Sequence, residues 1–207
     1  MTMRKEYKIL ILILIFNFGG CCPSDCDKVP KYLNIERLDI TINKITNIYN
    51  DSSFSTMLLD TNNAIDFDKL LIELTAKGSY FGQNKIFNIG DFFVNSAYAC
   101  KCAGPGHQGS TENISDIVIV SNNPFLSTGS SSDTLSQFFN ISGFADNKFI
   151  KPTDLVAYVS TQPRALKILY LTLKVKPTGS NEHKFTITYK QTNGEIYEIT
   201  TPTIKFN

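Results

Sequence analysis

Apolar and polar residues alternate along most of this chain with a period of two, the mark of strands that bury one face. From Tyr32, the run "YLNIERLDITINKITNIYN" puts Leu38, Ile40 and Ile42 on one face. The phase slips after Ile35, which predicts a bulge or bend there. Ile35, Leu38, Ile42, Ile45 and Tyr49 also fit a helical period, but the density of Ile and Thr favours a strand, because β-branched side chains suit a pleated surface. "NDSSFSTMLLDTNN" reads as a loop with a short apolar insert. "KLLIELTAKG" reads as a strand with Leu70, Ile72, Leu74 and Ala76 on one face and Glu73, Thr75 and Lys77 on the other. "KIFNIGDFFVNSAYAC" is expected to break at Gly90. "DIVIV" from Asp116 is a continuous apolar run, predicted to be buried on both faces.

The Ser-, Asn- and Gly-rich stretch "SNNPFLSTGSSSDTLSQFFNISG" predicts a long surface loop. Within it, Ser132 or Asp133 is placed to cap a short helix with Leu135, Phe138 and Phe139 inward. "ALKILYLTLKV" carries Leu169, Leu171, Leu173 and Val175 on one face and Ile168 and Tyr170 on the other, a central strand. "HKFTITYKQTNGEIYEITTPTIKF" is two alternating runs around Asn193-Gly194, a hairpin whose Asn-Gly pair is expected to supply positive φ angles. Phe185, Ile187 and Tyr189 share one of its faces. About seven strands, little helix and long loops predict an all-β, antiparallel β-sandwich of immunoglobulin-like type, with a small β-barrel as the alternative. The Trp of the immunoglobulin signature is absent, since the chain has no Trp.

The chain's start has a different character. Arg4, Lys5 and Lys8 precede the apolar run Ile9 to Phe16, followed by Asn17 and Phe18. That run is too short to cross a hydrocarbon core about 30 Å thick and matches the apolar region of a secretory signal. Gly19-Gly20-Cys21 follows, and the whole resembles a bacterial lipobox, with Phe18 where leucine is usual. The resemblance implies cleavage before Cys21 and a diacylglycerol on its thiol. The expected organisation is a lipoprotein signal peptide over 1–20, a lipidated tether over 21–31 and one β-sandwich domain over 32–207. Asp25 and Asp27, soon after the anchor, resemble a surface-export tag. The implied address is an outer-membrane lipoprotein facing the periplasm or the cell surface.

Export admits disulfides. With Cys21 acylated, Cys22, Cys26, Cys100 and Cys102 remain, and four cysteines allow three pairings that the sequence does not choose between. A Cys100–Cys102 bond would close a very small, strained loop. A bond from the tether to either would staple the N-terminus to the domain. Cys100-x-Cys102 with His107 competes as a metal site, but structural zinc usually shows a second ligand pair at similar spacing, and only His183, far away, remains. No metal and no cofactor is expected.

The doubled cysteine, "NSAYACKC" at Asn95 to Cys102, "ENISDIVIVSNNPF" and the closing hairpin together resemble a family of small uncharacterised bacterial lipoproteins of gut-type Gram-negatives. The likeness spans most of the chain after the signal. It implies export and a β fold and brings no active site with it.

Lys and Arg number 20 against 19 Asp and Glu, without a basic run, so neither nucleic-acid binding nor an electrostatic membrane-binding face is indicated. His107, in the glycine-rich "GPGHQGS", and His183 read as surface histidines. That loop lacks the Lys-Ser/Thr ending of a phosphate loop, but its glycines suit a ligand-contacting loop. Asp66 and Asp68 would share a face on a strand and read as solvated carboxylates. Most Phe and Tyr read as core filling between two sheets, and the absence of Trp weakens a sugar-stacking role, for which Tyr80 and Tyr98 near expected loops are the candidates. Asp133-Thr134-Leu135 resembles a short O-glycosylation signal. No catalytic constellation emerges. The expected role is a membrane-anchored binding or structural module of the cell envelope, partnered by the membrane through its lipid and by an envelope protein or glycan. An envelope hydrolase or glycan-binding accessory protein is the alternative.

Overall fold

The alternating run from Tyr32 forms a single long strand, β1 (Tyr32–Asn50), in a computed structural model that describes residues 31–50, 53–81, 105–129, 133–145 and 148–207. The expected signal peptide and tether up to residue 30, all five cysteines, Tyr98, Ser132 and the segment expected to break at Gly90 lie outside the described residues. Eleven more strands follow: β2 (Ser53–Leu58), β3 (Ala64–Ile65), β4 (Leu70–Phe81), β5 (Ile114–Ser121), β6 (Phe139–Ala145), β7 (Lys148–Asp154), β8 (Ile168–Leu173), β9 (Glu182–His183), β10 (Phe185–Gln191), β11 (Ile196–Thr200) and β12 (Ile204–Phe206). They form a six-stranded sheet ordered β2-β1-β4-β8-β6-β7, a three-stranded sheet ordered β11-β10-β5 and a small sheet ordered β3-β12-β9. All pairings are antiparallel except β12 with β3. The class is all-β and sandwich-like, as the periodicity predicts. The strands are more numerous than the seven of an immunoglobulin domain, and their order does not by itself make the fold immunoglobulin-like.

One core joins the sheets. β4 turns Leu70, Ile72, Leu74 and Ala76 inward, and β8 adds Leu169, Leu171 and Leu173. The three-stranded sheet faces them with Ile117 and Ile119 of β5 and Phe185, Ile187 and Tyr189 of β10. Each such side chain taken fully out of water contributes roughly 1.5–3 kcal/mol. The register of β1 against β4 shifts between Ile35 and Arg37, the bulge that the phase slip predicts. It turns Ile35 and Ile42 into the same core although they are an odd number of residues apart.

Several local expectations are corrected. The Ser53–Leu58 stretch is a strand paired to β1, not a loop; it is the edge strand of its sheet, and Met57 and Leu58, on opposite faces, both stay exposed. β5 alternates rather than being buried on both faces: Val118 and Val120 are half-buried, as are Thr186 and Thr188 of the central strand β10, because only one face of this sheet meets the core. Val175 lies beyond β8 and is exposed. The short helix near Asp133 is one 3₁₀ turn, Ser136–Phe138, whose capping position is Leu135 without a side-chain cap. A six-residue helix absent from the sequence reading, α1 (Leu155–Ser160), starts where the Asp154 carboxylate accepts from Ala157 N.

The β10–β11 hairpin is present, but only Gly194 takes a positive φ, at 91°. The turn closes as Gly194 N to Gln191 O at 3.1 Å, with Gln191 N to Glu195 O at 2.9 Å. This is the three-residue loop with a left-handed glycine at its end, and Asn193 serves by accepting from Glu195 N at 3.0 Å. An added Cβ at Gly194 would meet nothing within 4 Å. Gly194→Ala should therefore lose only conformational energy, about 1 kcal/mol, as a lowered urea midpoint with unchanged slope.

Candidate functional site

The described residues between β5 and β6, 122–129 and 133–138, fold onto the domain's end. Asn122 and Lys184 exchange bonds, Asn122 N to Lys184 O at 3.1 Å and Lys184 N to Asn122 Oδ1 at 2.6 Å. Asn123 Nδ2 donates to Glu182 O at 2.7 Å. Phe125 O accepts from Thr178 N and Gly179 N at 2.9 and 3.0 Å. A Cβ at Gly179 would stand 2.4 Å from Pro124 O, so only glycine lets the two segments come this close. On the other side, Ser136 Oγ donates to Ile117 O and accepts from Ile119 N, which also covers the open edge of β5.

Between these walls lies a hollow of about 140 Å³ lined by Phe125, Leu126, Gly129, Asp133, Thr134, Leu135, Gln137 and Phe138. Phe125 and Phe138 stack, with centroids 5.4 Å apart at 17°. Phe125 and Leu135 are buried, whereas Asp133, Thr134 and Gln137 are exposed. The hollow thus has an apolar floor and a hydrogen-bonding rim. Pockets that enclose small molecules measure roughly 300–1,000 Å³. This one accommodates a single side chain or part of one sugar ring projecting from a larger partner.

Beneath the loop lies His183, and the surface position expected for it is wrong. It is wholly buried. Its Nε2 donates to Ser180 O at 2.9 Å, so Nδ1, 2.7 Å from Ser121 Oγ, accepts the serine proton. The ring stacks on Phe185 at 5.6 Å and 11° and also meets Phe125 and Phe206. Burial pushes its pKa down, against a smaller opposing effect of the Ser180 bond. The Ser–His contact resembles a nucleophile and base, but both residues are closed off from solvent and the outer nitrogen binds a main-chain carbonyl instead of a carboxylate. Its role is to join β9 to the end of β5.

The other sequence candidates scatter. Asp66 caps and Asp68 lies within a 3₁₀ turn, Phe67–Lys69, not a strand. Asp66 binds Lys69 Nζ at 2.6 Å and Asn207 Nδ2 at 2.8 Å, contacts that hold its carboxyl below its usual range. Asp68 is exposed. Among the described residues no group of three His, Cys, Asp or Glu stands close enough to hold a metal ion. His107 is half-buried at the opposite end from the hollow, with Nδ1 buried and without a hydrogen-bond partner. Its loop is tied to the start of β1 by Gln108 N to Lys31 O and Leu33 N to Gly109 O. Tyr80 lies at that same end, under Lys167 Nζ, 5.1 Å from its ring centre. Thr134 stands exposed on the rim of the hollow. Cys21, Cys22, Cys26, Cys100 and Cys102 are outside the described residues. Sequence reasoning flagged the loop and the Asp133–Leu135 motif but missed Phe125 and Gln137, because only the fold brings position 125 against position 138.

No family model matches the chain, and neither the curated proteins nor the solved structures contain a significant match to it.

Proposed function

We propose that this chain is an exported lipoprotein, anchored through Cys21, whose sandwich acts as a non-catalytic binding module of the envelope and presents the Phe125–Phe138 hollow to a protein or glycan partner. The observation that carries the reading is the position of the hollow. β5 leaves the end where β1 begins, since Ile114 N donates to Pro163 O and the adjacent Arg164 guanidinium lies over Tyr32. It then runs to Ser121, roughly 23 Å away at strand spacing, before the loop starts. A tether at Tyr32 thus leaves the hollow facing away from the anchor. Loops held on a rigid sheet scaffold are the usual place for recognition. The resemblance to small envelope lipoproteins and the charge–apolar–Gly-Gly-Cys order of the leader support the address.

A photoreactive benzophenone residue at Gln137 of the anchored protein in growing cells should give a discrete adduct, identified by mass spectrometry, that the same residue at exposed Glu198 does not. Equal or no adducts at the two positions would reject the hollow as the binding surface. In the same cells Cys21→Ala should move the protein into the soluble fraction; unchanged membrane partitioning would reject the anchor.

A further inference from the structure

The end of the domain that receives the tether carries exposed aromatic and aliphatic side chains that the core does not use. Tyr32 pairs with Phe81 and Leu33 with Tyr80 at the last rungs of the β1–β4 ladder. Tyr80 and Phe81 remain 40% and 41% exposed, and Ile196, at the start of β11, 61%. β11 reaches this end because Tyr197 Oη stands 2.7 Å from Ile35 O and 2.8 Å from Glu195 Oε2, its one proton shared between the two acceptors. Tyr32 and Phe81 lie 5.7 Å apart. Arg164 covers the Tyr32 ring at 5.7 Å and Lys167 the Tyr80 ring at 5.1 Å. These residues come from positions 32, 80–81, 164–167 and 196, so no window of the sequence shows them as a group.

We infer that this aromatic end docks on the lipid headgroup surface to which the chain is tethered, so that the sandwich stands on the membrane with β1 leaving it. The inference rests on the Cys21 anchor. From Cys21 to Tyr32 the chain spans at most about 35–40 Å when fully extended, and Pro23 and Pro30 stiffen it. The end at Tyr32 is therefore held against the bilayer at an effective concentration on the order of millimolar, where even a weak surface contact is populated. Tyrosine and other aromatics favour the headgroup level of a bilayer, and the Arg164 and Lys167 heads suit lipid phosphates. Glu36, Glu112 and Glu195 share this end. With Lys31 beside Tyr32, three cations face these three carboxylates, so aromatic burial holds the contact and salt should change it little.

The absence of Trp from the chain makes the test clean. Phe81→Trp and Leu58→Trp each give the lipidated full-length protein one fluorophore. Leu58 is 69% exposed and pairs with Asn43, roughly 35 Å along β1 from Tyr32. Both are reconstituted in phosphatidylethanolamine–phosphatidylglycerol vesicles with brominated acyl chains, and Tyr80→Trp provides a second probe of the same end. The expected result is a blue-shifted emission quenched at least twofold at position 81, with neither change at 58. Vesicle-bound protein with equal quenching at 81 and 58, or none at either, would overturn docking and leave the anchor standing. Protein that fails to float with the vesicles would overturn the anchor and the docking with it.

Discussion

Phe185→Ala lowers the unfolding free energy by about 3–5 kcal/mol, the cost of removing a fully buried aromatic ring. Domains of this kind keep only about 5–15 kcal/mol in hand, so this one change takes a large share. Phe185 is completely buried. It meets Phe139 edge-on at 5.6 Å, stacks on His183 and lies within 6.5 Å of Phe125 and Phe206. Its main chain is also engaged, with Phe185 N to Thr201 Oγ1 at 2.9 Å and Thr201 N to Phe185 O at 2.9 Å. Four segments therefore lose contact at once, and the rigid walls leave a cavity that does not collapse. Urea titration gives the value. A loss under about 1 kcal/mol would place the centre of the core elsewhere.

Acidification through the histidine range should destabilise the protein next. The folded-state pKa of His183 lies below its ordinary 6.5. The unfolded chain thus binds this proton first. The neutral ring's contribution is fully present above pH 6.5 and is lost as pH falls below it toward the folded-state value, with a slope of at most about 1.4 kcal/mol per pH unit. The folded state resists the proton because Nδ1 already accepts from Ser121 and the ring is enclosed by Phe125, Phe185 and Phe206. Asp66, Asp154 and Glu195 titrate separately. Hydrogen bonds from Lys69, Lys174 and Tyr197 hold them below their ordinary 3.8 and 4.5, so their contribution is present above that range and lost only at lower pH. His183→Gln should flatten the slope just below pH 6.5 and leave the acid limb. An unchanged slope in His183→Gln would assign it to another group.

What the sequence revealed was whatever rests on near neighbours. Leu70, Ile72, Leu74 and Ala76 share a face because strand geometry requires it. The slip after Ile35 shows because it breaks that rule locally. The hairpin shows because Gly194 is needed at one turn position. The β2 strand was missed because Met57 and Leu58 gain no burial from pairing, so composition reads them as loop. His183 was misplaced because an alternating run gives its face but not the depth of the cover, which Phe125 and Phe206 supply from distant positions. The hollow was half legible: its loop announced itself in Ser, Asn and Gly, while its aromatic floor depends on a pairing that no local window contains.

The parallel pairing of β12 with β3 sets a timetable for the chain. Lys205 pairs with Ala64 and Phe206 with Ile65, partners some 140 positions apart in the sequence. Phe206 also closes over His183 and Phe185. The bottom of the core therefore stays open until nearly all of these residues are present together. Such distant contacts form late and slowly. Under the export proposed above, a late-closing core is an advantage: the stretch already made stays loose enough to pass, and β12 then locks the domain.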